Sequence, residues 1–475
     1  MKRIEVLFKY LMLLFVAASV VCCSKTDNPG DEPGEDISNE ERLLLKANKF
    51  VYDYTKEAYL WSKHINSGIN YKSAGTPEEL FELMRYKALD KWSYVTDNSK
   101  EAMEGFQGVS TTFGYSLAFG TFSNAQDQYF AVVQYVYPGS VAQAAGLKRG
   151  DFLISLNGGN LNSSNYTQLY YGSTITVGLG AINGNGAVES SGKTVTMTAV
   201  KMYEDPVVAH KVIDAGGKKV GYLFYAGFYE ESHQKLVEVF RGFQNQGVTE
   251  LILDLRYNLG GNAKTPPYLA SMIAPQTAVK KKSVFLTQTW NDLYMEYFKK
   301  QNEDMNTYFH PDIPVNLNLN TVYVLTTSST ASASEATISG LMPYMNVVKV
   351  GDNTHGKYCG AALLTPTDSN GKEDKEISNW LLSLVIYKFV NVQGFTEFKD
   401  GIACDYKVED SGLLTGIPLG DEADPMVAKA LSLITGNGTK ALQGNAVRLR
   451  GVELVPHLGE KSRVGGMVQF LDDIK

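Results

Sequence analysis

The sequence predicts a multidomain α+β protein, and three textures along its 475 residues carry that expectation. Residues 39–104 repeat apolar side chains at helical spacing, residues 105–200 set short strands between glycine turns, and residues 201–435 alternate strands with helices. A chain of this length has room for two to four domains with sizeable cores. With 44% hydrophobic and 20% charged residues, its composition is that of a globular protein. A net charge of −7 without a basic stripe argues against a nucleic-acid partner.

The first residues stand outside that plan. "MKRIEVLFKYLMLLFVAASVVCCSK" joins Lys2 and Arg3 to an apolar run and then to small residues and cysteine. This is a secretory signal pattern, too short and wrongly flanked for a transmembrane anchor. Its end resembles a bacterial lipoprotein signal, which implies removal of residues 1–22, a lipid on Cys23 and an acidic disordered tether over residues 23–38. Simple secretion with cleavage nearby is the alternative. The lipoprotein reading places the protein in the cell envelope of a Gram-negative bacterium, held to a membrane by its lipid. The outer membrane is preferred, facing either the periplasm or the cell surface.

In the helical segment Leu43, Ala47, Phe50, Val51, Tyr54 and Ala58 form one stripe. "TPEELFELM" announces a second helix, with Thr76 as cap, Pro77 at the first position and Glu79 closing a capping box. Nothing in this segment points to chemistry. Next, "YFAVVQYVYPGSVAQAAGLKRGDFLISLNG" predicts a strand, a Pro-Gly turn, a short helix over residues 141–145 and a strand over 152–156. This stretch resembles a PDZ domain, which implies that an extended peptide adds to it as a strand. Phe113, Gly114, Tyr115 and Ser116 of "TTFGYSLAF" then fall at the carboxylate-binding loop and its strand. A β-rich spacer that binds nothing is the plainer reading.

In the third region "KVGYLFYAGF", "ELILDL" and "TVYVLTT" read as strands, and Leu236, Val239, Phe240 and Phe243 as a helical stripe. The alternation predicts an α/β core with a partly parallel sheet. "LILDLRYNLGGN" carries a strand into Gly260 and Gly261, where backbone N–H groups can face a ligand. "TASASEATISGL" sets Ser332 three residues before Glu335, a capping box ahead of a helix that Pro343 should stop. A nucleophile there can use helix N-terminal amides against negative charge, with the N–H of Ala333 the natural donor. "VVKVGDNTHGKYCG" carries Lys357 in a glycine loop. Each has a bland reading alone: a turn, a cap, a solvated charge.

Together they resemble the C-terminal processing peptidases, or tail-specific proteases: serine peptidases with a helical segment, a PDZ domain and a crotonase-like ββα core. The resemblance spans about residues 40–435 and rests on "DLRYNLGG", "TASASE", Gly356-Lys357 and "DGIACD". It implies a polypeptide substrate, Ser332 as nucleophile and Lys357, 25 residues on, as its base. It also implies an oxyanion hole from the N–H groups of Gly261 and Ala333, with Gly260 the close alternative. Lysine serves as a base only when neutral, which requires burial to bring its pKa from about 10.4 toward 7 or 8. Ser–Lys pairs need no histidine, and His355 is expected to shape the loop.

No metal or organic cofactor is implied, since Asp254 and Asp352 lack a cluster of ligands around them. Two departures stand out. Ala361 occupies the place of a glutamine that orients the lysine in many members, and Cys404 replaces a proline. Cys359 and Cys404 form either a disulfide that braces the lysine loop or two free thiols. The rival reading is a catalytically weak or inactive pseudoprotease that binds peptides, with an acyl-binding or lyase-type enzyme more remote. The sequence assigns no oligomeric state and no role to residues 436–475.

Overall fold

The computed structural model describes residues 37–123, 125–436 and 450–455, and the backbone of 467–470. The expected signal peptide, Cys23 and almost all of the expected tether lie outside the described residues.

The amino-terminal segment comprises α1 (Asn39–Ala58), α2 (Pro77–Met84), β1 (Tyr94–Thr96) and α3 (Ser99–Phe106). Ser38 caps α1 by accepting the Glu41 N–H. At α2, the Thr76 N–H donates to Glu79 Oε2 at 2.9 Å and the Glu79 N–H to Thr76 Oγ1 at 3.3 Å, the reciprocal box that the sequence predicts. The apolar stripe of α1 and the buried face of α2 do not close a core of their own. Ala47, Phe50, Val51, Leu80 and Phe81 belong to one cluster with Leu382, Leu384 and Val385 from far along the chain.

The glycine-rich region contains β2 (Val109–Thr112), β3 (Tyr115–Phe122), β4 (Tyr129–Val136), α4 (Val141–Ala144), β5 (Phe152–Leu156) and β6 (Gly159–Asn160). Then come α5 (Gln168–Tyr171), β7 (Thr174–Ile182), β8 (Val188–Thr198) and β9 (Val200–Tyr203). Strands β3, β4, β5, β7 and β8 pair in that order, β6 pairs with β5, and β2 pairs with β9. Alternate residues such as Leu117, Phe119, Val133, Leu153 and Val177 point into a separate core.

The remaining chain builds two sheets. The first runs β10 (Val207–Ala215), β11 (Lys218–Tyr225), β12 (Glu250–Asp254), β15 (Thr321–Thr326), β16 (Asn346–Gly351) and β19 (Tyr406–Lys407). Every pair in it is parallel except β10 with β11. The second sheet is built on β13 (Val284–Trp290), β14 (Asn306–Tyr308), β17 (Cys359–Leu364) and β18 (Leu381–Val390), and β1 joins it on β18. Between the parallel strands run α6 (His233–Asn245), α7 (Thr265–Ile273), α8 (Gln276–Lys280), α9 (Asp292–Gln301) and α10 (Ala333–Leu341). All nine residues of α10 are buried, and it touches α7, β13 of one sheet and β16 of the other. It ends ahead of Pro343, as the sequence predicts. After α11 (Pro425–Thr435), two short strands follow: β20 (Val452–Leu454) pairs with β3, and β21 (Met467–Phe470) with β17.

Candidate active site

Three turns at the carboxyl ends of β12, β15 and β16 meet where α10 begins. Ser332, wholly buried, precedes α10 with φ +59° and ψ −104°, a region that L side chains rarely adopt. Asn258 fixes the neighbouring backbone. Its carbonyl oxygen accepts the Ala331 N–H and the Ser334 hydroxyl, each at 3.0 Å. Its side chain donates to the Tyr225 carbonyl and accepts the Gly260 N–H, each at 2.8 Å.

Gly260 and Gly261 have φ of +110° and +144°. A Cβ on Gly260 would stand 3.0 Å from Ser332 Cβ and 3.1 Å from the Ala333 nitrogen, so this turn lies directly against the serine. A Cβ on Gly261 would collide with the Phe228 carbonyl. The structure separates the three amides expected at an oxyanion hole. The Gly260 N–H is spent on Asn258 Oδ1, which removes it as a donor. Among the described residues, those of Gly261 and Ala333 have no acceptor.

Lys357 and Glu335 are both wholly buried. Glu335 Oε2 accepts the N–H of Ser332 at 2.7 Å and that of Lys357 at 2.9 Å. Two bonds of these lengths to one oxygen hold the two amide nitrogens within 5.6 Å of each other. Oε1 accepts the Gly356 N–H and the Thr354 hydroxyl, each at 2.6 Å. The capping glutamate therefore clamps the serine turn to the lysine loop. Burial pushes Lys357 down from 10.5 to about 8, against the opposing pull of Cys359, Asp90 and Glu335. Burial likewise pushes Glu335 up to about 7, although four donors favour its charged form.

The amino-terminal segment, to which the sequence assigned no chemistry, walls the lysine. Lys357 Nζ lies 5.5 Å from the centre of the Trp92 ring. The Trp92 indole N–H donates to His355 Nε2 at 3.5 Å, and His355 Nδ1 lies 3.1 Å from the Ser328 carbonyl. Asp90 anchors this corner by accepting the Tyr59 hydroxyl and the N–H groups of Trp92 and Ser93.

The "DGIACD" loop adjoins the lysine loop: the Thr354 N–H donates to the Ile402 carbonyl at 3.1 Å, and the Ile402 N–H to Thr354 Oγ1 at 2.6 Å. No disulfide forms across them; Cys359 and Cys404 are free thiols. Cys359 is sealed in β17 of one sheet, where burial pushes its thiol up, while Cys404 leads into β19 at the edge of the other. Ala361 is buried in β17.

Behind the Gly-Gly turn lies an ion cluster that sequence reading missed. Arg256, wholly buried, donates to Asp254 at 3.0 Å, Asp410 at 2.9 Å and Asp424 at 2.8 Å. Arg149, from the β-rich domain, reaches Asp410 at 2.8 Å and the Tyr257 hydroxyl at 2.6 Å. Its members come from four separate stretches of sequence, and only the Asp254–Arg256 spacing was a signal.

The loop expected to bind a peptide carboxylate is largely satisfied from within. Phe113 and Tyr115 are core side chains, 1% and 3% exposed. The Gly114 N–H donates to Thr112 Oγ1 at 3.1 Å, and the Ser116 hydroxyl to Gln134 Oε1 at 2.7 Å.

Comparison with known proteins adds an independent line. The model of peptidase family S41 matches residues 219–408, and that of the peptidase S41 N-terminal domain matches 46–94. A carboxyl-terminal-processing protease of Picosynechococcus is 24% identical over 308 residues, covering 63% of this chain and 65% of its own length. A C-terminal processing peptidase from the chloroplast of Tetradesmus obliquus is 23% identical over 423 residues, covering 83% of each. This chain thus spans less than two thirds of the Picosynechococcus relative, and 52% of another from Synechocystis. Among solved structures, a candidate S41 protease from Bacteroides fragilis superimposes with a TM-score of 0.69 at 28% identity. The match covers 82% of this chain and 97% of that one.

Proposed function

Because the chain belongs to peptidase family S41, we propose that it is a serine endopeptidase with Ser332 as nucleophile and Lys357 as general base. The observation that carries this reading is the Glu335 oxygen shared by the amides of both residues, around a lysine buried from bulk solvent. Neutral Lys357 takes the Ser332 hydroxyl proton as Oγ attacks the scissile carbonyl carbon. The N–H groups of Gly261 and Ala333 receive the negative charge on the carbonyl oxygen, each such donor contributing about 10²–10³ in rate. Protonated Lys357 then gives its proton to the leaving amine, and water, deprotonated by the same lysine, releases the acyl group from Ser332. No cofactor takes part in this scheme.

The finer reading extends to recruitment and place. The PDZ-like domain would capture polypeptide C-termini, and a lipid on Cys23 would hold the enzyme to an envelope membrane. The test is cleavage of a pool of unfolded polypeptides read by mass spectrometry, comparing the wild type with Ser332→Ala and Lys357→Ala. Cuts made by the wild type alone support the pair. An inert wild type that still binds the pool favours the peptide-receptor reading, to which Ala361 lends support.

A further inference from the structure

Strand β3 presents one row of backbone groups to its outer edge, and the chain itself occupies most of that row from Leu117 to Ser123. At Leu117 the Tyr170 hydroxyl takes both positions, accepting the Leu117 N–H at 3.0 Å and donating to its carbonyl at 3.3 Å. At Phe119 the carbonyl accepts the Val455 N–H at 2.9 Å. At Ser123 the N–H donates to the Gly451 carbonyl at 2.8 Å. Between them β20 lies antiparallel, with Val452 opposite Phe122, Glu453 opposite Thr121 and Leu454 opposite Gly120. The alternation of an antiparallel ladder turns Glu453 toward β3 with Gly451 and Val455.

Two details show a fitted contact. A Cβ on Gly120 would stand 2.5 Å from the Glu453 carbonyl oxygen, so that glycine lets the segment approach. Val452 packs on the cluster of Phe130, Val132 and Phe152. The direction matters as well. From Val452 to Val455 the segment runs toward Tyr115 and the Phe113–Gly114 turn, the course of a strand whose carboxyl end heads for that turn. Farther on, β21 pairs in parallel with residues 360–363 of β17, the strand that starts two residues after Lys357.

We propose that the outer edge of β3 is a strand-docking site whose resident occupant is the chain's own segment Arg450–Val455, and that an extended polypeptide must displace it to bind. The proposal rests on the reading of residues 105–200 as a peptide-docking domain. A tethered strand acts at an effective concentration of about millimolar, so it outcompetes weak free ligands and admits those that pair better or arrive in excess.

The test uses the full chain and a fluorescein-labelled hexapeptide, RGVELV, matching residues 450–455. Glu453→Pro with Val455→Pro removes the two amides that face β3 without touching the catalytic core. The double variant should bind the hexapeptide at least about tenfold more tightly than the wild type by fluorescence anisotropy. Its Ser123 amide should exchange hydrogen at least about tenfold faster when the edge is unfilled. Val452→Ser, which keeps every backbone bond, should move both readouts the same way by less. Equal affinity in the two chains, binding to neither, or equal exchange at Ser123 overturns the proposal. Neither readout needs turnover, so an inert Ser332–Lys357 pair would leave this result standing.

Discussion

Replacing Glu335 by glutamine isolates the competition between burial and hydrogen bonding at the clamp. The carboxyl is wholly buried and accepts four donors, yet burial dominates and pushes it from 4.5 up to about 7. Between pH 4.5 and 7 the folded chain therefore holds a proton that the unfolded chain has released, and stability falls as pH rises. At about 1.4 kcal/mol per pH unit the loss is roughly 3 kcal/mol, complete above pH 7. Lys357 does not confuse this window, since its own transition lies from about 8 to 10.5. Glu335→Gln loses the titrating group and sets its NH₂ against donors, a penalty that is large but independent of pH. The stability of the wild type relative to Glu335→Gln should fall by roughly 3 kcal/mol between pH 4.5 and 7.5, measured by urea unfolding at each pH. A flat difference would refute the reasoning, because it would mean that four donors keep the carboxylate ionised throughout.

Other expectations follow from the same geometry. For a proteolytic enzyme whose base is Lys357, kcat/KM should rise with pH along a limb centred near 8, because burial holds the lysine there; a limb centred below 6 would point to a different base. Arg256→Met leaves Asp254 and Asp424 buried without their partner and should destabilise the chain by about 3–5 kcal/mol in denaturant unfolding. A thiol reagent should label Cys404 in the native chain and Cys359 only after unfolding, and intact mass should show no disulfide between them.

What the sequence revealed depended on how far each signal had to reach. The capping box at Thr76 and Glu79 is spelled within four residues and was readable directly. The serine turn, the Gly-Gly turn and the lysine loop were each ambiguous alone, and their order resembled one family. Glu335 was visible as a cap but not as a clamp, because its second set of partners, Thr354, Gly356 and Lys357, sits about twenty residues on. The thiols stayed undecided because sheet membership separates them, and that is a property of topology. Trp92 and the self-paired edge of β3 left no local mark, and the Arg256 cluster left only the Asp254–Arg256 spacing, since each joins distant stretches through contacts that any sequence window misses.

The placement of Trp92 has a consequence for the order in which the molecule assembles. The lysine loop becomes dry only once a segment 263 residues earlier has closed over His355 and β1 has zipped onto β18. Such long-range closure is slow compared with the local hairpins and helices around it. A newly made chain thus completes its sheets before its lysine can lose its proton near neutral pH. Refolding followed by tryptophan fluorescence should show this maturation as a late phase, and under the proposed function cleavage of polypeptides should emerge with it. A serine peptidase built this way would keep its base protonated until the Trp92 segment and the lysine loop have met.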